Sequence, residues 1–218
     1  MRKYITPTLS AILLSGWMLG SAVSAEVKSI AILTPEEGTD YGWNQQGVDA
    51  AKAAAQAAGM AAKMSRTNTV GIVVSGEPPS WNSQSAGFAQ GVKAENADTK
   101  VIYAVIGPAA YSDAAGGKRV TESVIAAGAD IIFGQGNGSS FGMLQAVETT
   151  KAVDGGKVLF IDVIGDKSPI DKGFLLSSVV WNIEPVYTAM INDLKADTYG
   201  TKSYAIGLED DSVMLLKT

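Results

Sequence analysis

The 218 residues include no cysteine and no histidine. Without cysteine there are no disulfides and no thiol nucleophile. Without either residue there is no zinc site of the usual kind and no histidine-based catalytic triad. An enzyme made from this chain would have carboxylate, lysine, serine and tyrosine chemistry alone. Charge is also sparse: 18% of residues are charged, with 22 acidic against 17 basic and a net charge of -5. A mildly acidic surface argues against a nucleic-acid partner, which wants basic patches.

The apolar stretch at 9–23 is short for a transmembrane helix, which needs ~20 apolar residues, and Ser15, Gly20 and Ser21 interrupt it. Arg2 and Lys3 precede it, and the small residues Val23, Ser24 and Ala25 follow. That arrangement reads as an export signal cleaved after Ala25. No cysteine follows the run, so lipid anchoring there is excluded. The expected product is periplasmic, not itself membrane-spanning, and two charges more acidic once Arg2 and Lys3 are removed.

Beyond residue 26, short β-branched runs alternate with alanine-rich amphipathic stretches. Strands are expected at 27–34, 69–75, 100–107, 130–135, 157–164 and 174–180, with a β-rich tail at 204–206 and 213–216. Helices are expected at 44–64, 83–96, 113–127, 139–149 and 184–196. Several strands are nearly all apolar, as strands buried on both faces should be. The alternation predicts an α/β fold with a doubly wound, Rossmann-like parallel sheet and right-handed crossovers. The regular part is 69–181. Residues 26–68 supply one strand and one long helix, and 182–218 a crossover helix and the tail. Neither flank has the size of an ordinary lobe, ~100 residues or more.

Four ordered stretches carry a resemblance. The first is Leu33-Thr34-Pro35 followed by Thr39-Asp40-Tyr41-Gly42-Trp43-Asn44-Gln45. The second is Met64-Ser65-Arg66-Thr67-Asn68-Thr69-Val70-Gly71-Ile72-Val73. The third runs from Gly128-Ala129-Asp130 through Gly134-Gln135-Gly136-Asn137-Gly138-Ser139-Ser140-Phe141-Gly142-Met143. The fourth is Ser177-Ser178-Val179-Val180-Trp181-Asn182. In this order they resemble the basic membrane protein family of ABC-transporter substrate-binding proteins. The resemblance implies a type I periplasmic binding protein fold, in which two α/β lobes close on a small ligand. It also implies a purine nucleoside or nucleobase as ligand, an ABC permease as partner, no catalysis and no cofactor.

One departure stands beside the resemblance. In the family several strand-helix units separate the first helix from a stretch like Gly59-Met60-Ala61-Ala62-Lys63-Met64. Here that stretch follows the first helix directly, so 51–64 reads as two helices fused across an internal deletion. Gly59 sits inside, where glycine costs ~1 kcal/mol against alanine. The chain also stops at Thr218, earlier than the family usually does. The expectation is therefore an incomplete first lobe, and the alternative to a working receptor is a member that no longer binds.

Trp43 falls at a strand-to-helix turn, where ligands of open α/β sheets bind. An indole there can stack on a flat base, worth ~1–3 kcal/mol, or pack the loop. Asn44 can bond a base edge or cap the helix. Asp40 can accept from a hydroxyl or amine, or act as a turn residue. The loop of Gly136, Asn137 and Gly138 follows a strand and opens a helix, which suits a neutral ligand. It is also a tight turn with Ser139 as cap. Its spacing is G-x-G-x-G, not the dinucleotide G-x-G-x-x-G. Phe141 can offer a second aromatic face or pack the core. In the family an acidic residue near Asp166 binds ribose hydroxyls. Trp181 can line the cleft or pack the crossover, and Trp81 is expected to anchor a proline-rich loop. Two other functions compete. An enzyme on a Rossmann-like lobe is opposed by the missing His and Cys and the off-pattern loop. A sugar-responsive repressor is opposed by the export signal and the lack of a basic headpiece.

Overall fold

Every residue of Thr69–Val74 (β1) is buried, and so is every residue of Ile131–Gln135 (β3). Strands buried on both faces belong in the middle of a parallel sheet. The computed structural model, which describes residues 43–204 and 213–217, places them there. Side chains of residues 43–50 and of residue 217 lie outside that description. Lys100–Val105 (β2) flanks β1 as an edge strand and is only half-buried. Leu159–Ile164 (β4), Leu175–Trp181 (β5) and Val213–Lys217 (β6) follow β3 on the other side, in the order β2-β1-β3-β4-β5-β6. The first five strands run parallel; β6 pairs antiparallel with β5, Val213 opposite Trp181.

Two helix layers cover the sheet. On one face lie Trp43–Met64 (α1) and Pro79–Glu95 (α2). Ala53, Ala54, Ala57, Ala58, Ala61 and Ala62 of α1 meet Ile72, Phe133, Ile161, Val179 and Val213 from the sheet. Phe88 of α2 stacks on Phe133 with ring centroids 4.5 Å apart. On the other face lie Ala114–Ala126 (α3) and Ser140–Thr149 (α4). There Val124, Ile125, Met143 and Leu144 close over Val73, Ile132 and Phe160. The last helix, Glu184–Lys195 (α5), leaves the end of β5 and buries none of its residues.

Side-chain size explains how α1 seats. A Cβ on Gly91 of α2 would stand 2.6 Å from the Ala55 carbonyl oxygen, and one on Gly87 would strike the Ala51 carbonyl. Glycine on one helix and alanine on the other thus let the two backbones approach. Lys63 pairs with Glu95 at 3.3 Å farther along. Position 51 beside 87, 55 beside 91 and 63 beside 95 means that α1 and α2 run parallel. Because α2 starts past the carboxyl end of β1, the Trp43 end of α1 lies at the carboxyl edge of the sheet. At the opposite edge, buried Asp130 accepts from Ser65 Oγ at 2.7 Å and from the N–H groups of Arg66 and Thr67 at 2.6 and 3.1 Å. These bonds tie the turn after α1 into the lobe.

α1 runs through Gly59 without a break. α2 starts at Pro79, not at residue 83 as expected, because proline suits the first helical turn, whose N–H groups lack helical partners anyway. The strand expected at 27–34, the signal at 1–25 and positions 205–206 of the tail lie outside the described residues. Among the described residues no helix is long and apolar enough to cross a membrane.

Candidate functional site

The sheet order reverses between β1 and β3, and a crevice outside the carboxyl ends at such a switch point is where open α/β sheets take ligands. A cavity of about 240 Å³ opens on this edge, lined by Pro78, Ser80, Trp81, Tyr111, Asn137, Ile164 and Trp181. Five connections or strand ends contribute. Pro78, Ser80 and Trp81 come from the start of α2, Tyr111 from the segment between β2 and α3, and Asn137 from the turn after β3. Ile164 and Trp181 end β4 and β5.

Three aromatic rings shape the cavity. Trp81 is 4% exposed and meets Tyr111 edge-to-face, centroids 5.4 Å apart at 75°. Among the described residues no lining side chain carries a charge. Two lining residues hold buried polar atoms with no hydrogen-bond partner among the described residues: Ser80 Oγ and Trp181 Nε1. An unpaired buried polar atom costs about 1–3 kcal/mol, so both can gain from a ligand that bonds them. The backbone is strained at the same place. Ile164 has φ +84 and Asn137 φ +37. A β-branched residue in that region is an outlier, and such outliers gather at binding sites.

The other expected site residues divide. Asn137 and Trp181 line the cavity. Gly136 and Gly138 flank Asn137, but they serve the protein's own packing. A Cβ on Gly136 would strike Ser139 Oγ, and one on Gly138 would come within 3.3 Å of Ser112 Cα. The N–H of Ser139 donates to the Tyr111 carbonyl at 3.0 Å and that of Ser140 to the Gly136 carbonyl at 3.2 Å. Ser139 also makes no side-chain cap; its hydroxyl donates to the Gly136 carbonyl at 2.7 Å.

Phe141 points elsewhere. It is 55% exposed and lines a separate groove between α3 and α4, with Lys118, Gln145 and Glu148. The 3-10 turn Asn137–Ser139 rotates α4 so that Gly142 and Met143 face inward and Phe141 outward. Asp166 stands at the carboxyl edge but outside the cavity. Its carboxylate accepts from the Ser168 N–H at 2.8 Å and from the Ser168 hydroxyl at 2.6 Å, and these bonds hold its pKa below the usual range. Asp40 lies outside the described residues. Trp43 and Asn44 open α1 at this same edge.

Trp81 and Tyr111 are the residues that sequence reasoning placed elsewhere or passed over. Each follows the carboxyl end of a strand, and that was the available signal. A buried acid stands nearby on β4. Burial pushes Asp162 up to about 6, while the charge and hydrogen bond of Lys167, the Val163 N–H and Ser140 pull it down. Among the described residues no cluster of acidic side chains could hold a metal ion.

A doubly wound α/β lobe with a cavity at its switch point has the architecture of one lobe of a type I periplasmic binding protein. The chain belongs to the basic membrane protein family, the PnrA-like ABC transporter substrate-binding proteins, whose profile matches residues 50–218. A transcriptional activator protein, med, of Bacillus subtilis (strain 168) is 26% identical over 138 residues, 63% of this chain and 40% of that one. An ABC transporter solute-binding protein of Aeropyrum pernix K1 superposes with a TM-score of 0.69 at 18% identity, over 78% of this chain and 48% of that one. A transcriptional activator of the comK gene from Bacillus halodurans gives 0.63 at 20% identity, over 78% and 54%. A periplasmic solute-binding protein of Actinobacillus succinogenes 130z with bound D-allose gives 0.56 at 19% identity, over 78% and 59%. The chain thus spans about half the length of these relatives.

Proposed function

We propose that the chain is the substrate-binding component of an ABC importer and takes a small purine-type ligand, a nucleoside or nucleobase, at the carboxyl edge of its sheet. The aromatic, uncharged cavity carries this reading. Trp81, Tyr111 and Trp181 offer faces and edges to a flat ring, and stacking on an aromatic side chain is worth ~1–3 kcal/mol per base. Asn137 can both donate to and accept from a base edge, Ser80 can do either, and the Trp181 indole N–H donates. The described lining residues include no cation, which favours an uncharged ligand over a phosphorylated one.

In this reading residues 69–181 form the ligand-bearing lobe, and 182–218 supply the crossover helix and the tail, whose strand β6 returns to the sheet beside β5. Residues 26–68 are what stands for the opposite lobe, with α1 docked on the sheet. Trp43, Asn44 and Asp40 then approach the ligand from the α1 side, and Asp166 takes hydroxyls at the rim. Export with cleavage after Ala25 brings the protein to the periplasm, where it delivers ligand to its permease without chemical turnover. A regulatory role, which the names of two relatives raise, has less support, because an acidic chain offers a phosphate backbone little to hold.

Tryptophan fluorescence titration tests the reading. Adenosine, guanosine, inosine and hypoxanthine are titrated beside ribose and allose. The expected result is a saturable one-to-one change with one purine class, weakened about tenfold or more in Trp81→Ala. A response to sugars alone would reject the purine, and no response to any would mark a family member that has lost its ligand.

A further inference from the structure

Unpartnered polar atoms gather where α2 meets the carboxyl edge of the sheet. Besides Ser80 Oγ and Trp181 Nε1, they are both amide atoms of Gln84 and the amide oxygen of Gln135, none with a hydrogen-bond partner among the described residues. Both glutamines are fully buried, at 0% exposure. Side chains four apart share a helix face, and side chains two apart share a strand face. Phe88 stacks on Phe133, so Gln84, one turn earlier on α2, stands over Gln135, two residues later in β3. Gln135 Nε2 donates to Ser85 Oγ at 2.6 Å, which ties the end of β3 to this turn of α2. One step farther come Ser80 and Asn137, which line the cavity. The order from core to cavity is thus Phe88 with Phe133, Gln84 with Gln135, then Ser80 with Asn137. A layer that served packing alone would be better filled by leucine or methionine, because an unpaired buried amide is costly.

We infer that Gln84 and Gln135 read the edge of the ligand's ring: Gln84 swings its amide into the cavity as the ring enters, and Gln135 adds a second acceptor. This rests on the purine reading above and names how the base is chosen. An amide sets one donor beside one acceptor in a plane. The edge that matches it has an acceptor beside a donor, either an amino group next to a ring nitrogen or a ring N–H next to a carbonyl. Ser85 occupies the Gln135 amide nitrogen, so the oxygen is what remains to offer. Gln84 is unbranched and makes no side-chain hydrogen bond among the described residues, which leaves its amide free to turn. The sugar of a nucleoside then lies toward the mouth of the cavity, away from the glutamines.

The test compares the chain with Gln84→Met, which removes both amide atoms and keeps an unbranched side chain of similar length. Adenine, guanine, hypoxanthine and unsubstituted purine, each as base and as riboside, are titrated by tryptophan fluorescence, and both proteins are melted without ligand. Unsubstituted purine has neither an amino nor a carbonyl group on its ring. The parent should bind one of the substituted purines about tenfold or more tighter than the unsubstituted one, because a site built to bond an edge rejects the analogue that lacks it. Gln84→Met should bring those affinities close together and melt no lower than the parent, since no bond is broken. A lower melting temperature or a failure to fold would overturn the inference, for the amide would then be a structural group. An unchanged preference in Gln84→Met, or a parent that binds unsubstituted purine as tightly as the rest, would overturn it with the purine reading intact. A parent that binds none of these compounds would end the purine reading and this inference together.

Discussion

Along α1 the alanines at 53, 54, 57, 58, 61 and 62 are all buried, whereas along α5 and its N-cap Ile183, Tyr187, Ile191 and Leu194 each stay about half exposed. The helix with the smaller side chains is the one that is covered. α1 gains its place because alanine on its own face and glycine at 87 and 91 of α2 let two backbones approach, so the seat comes from fit rather than bulk hydrophobicity. α5 has the larger apolar side chains but no surface within the described residues shaped to receive them. Amphipathic pattern thus shows that a face is to be covered, and only the partner's shape decides by what.

Breaking the covered side should have the largest effect. Phe88→Ala removes the ring stacked on Phe133 at the centre of the α1–α2 face and should cost about 3–5 kcal/mol in a denaturant melt. Asp162 sharpens the contrast on the other face. Its pKa in the folded protein, about 6, is above the unfolded value of 3.8, so the folded state binds more protons between those pH values. This group's contribution favours folding below pH 4 and is lost as pH rises toward 6, by on the order of 3 kcal/mol. The decline should be missing when Asp162→Asn is compared with the parent across pH 4–7. Asp154, Asp166 and Asp193, held below the usual range by their partners, shift stability the opposite way and are common to both proteins.

Gly91→Val comes next. Its side chain must push against the Ala55 backbone, and overpacking of that kind costs about 1–3 kcal/mol, read as a lower melting temperature. The smallest effect belongs to Ile191→Ala on α5, about 1 kcal/mol or less in the main melt. If Ile191→Ala cost as much as Phe88→Ala, the distinction between the two helices would collapse.

Much of this architecture was legible in the residues. The unbroken apolar runs of β1 and β3 announced central parallel strands, and the alternation with helices gave the doubly wound class. The start of α2 was misplaced because Pro78 and Pro79 read as a turn, when the first helical turn tolerates proline. The site was half legible. Asn137 and Trp181 fall next to or at the ends of strands, which a linear reading finds. Trp81 and Tyr111 meet only because the connections after β1 and β2 fold over the same edge, a contact between positions 30 apart in sequence with no local signal. Phe141 lies next to the loop in sequence, but the 3-10 turn ahead of α4 is followed by a helix on which it lines another groove.

A thermal melt of the chain, alone and with each purine nucleoside and nucleobase, tests the receptor claim most directly. A ligand at about 100 times its dissociation constant should add ~2.7 kcal/mol, a shift of several degrees for a lobe of this size, and Trp181→Leu should shrink that shift. A cooperative melt that no purine moves would contradict the account, leaving a folded lobe whose aromatic cavity is not a purine site.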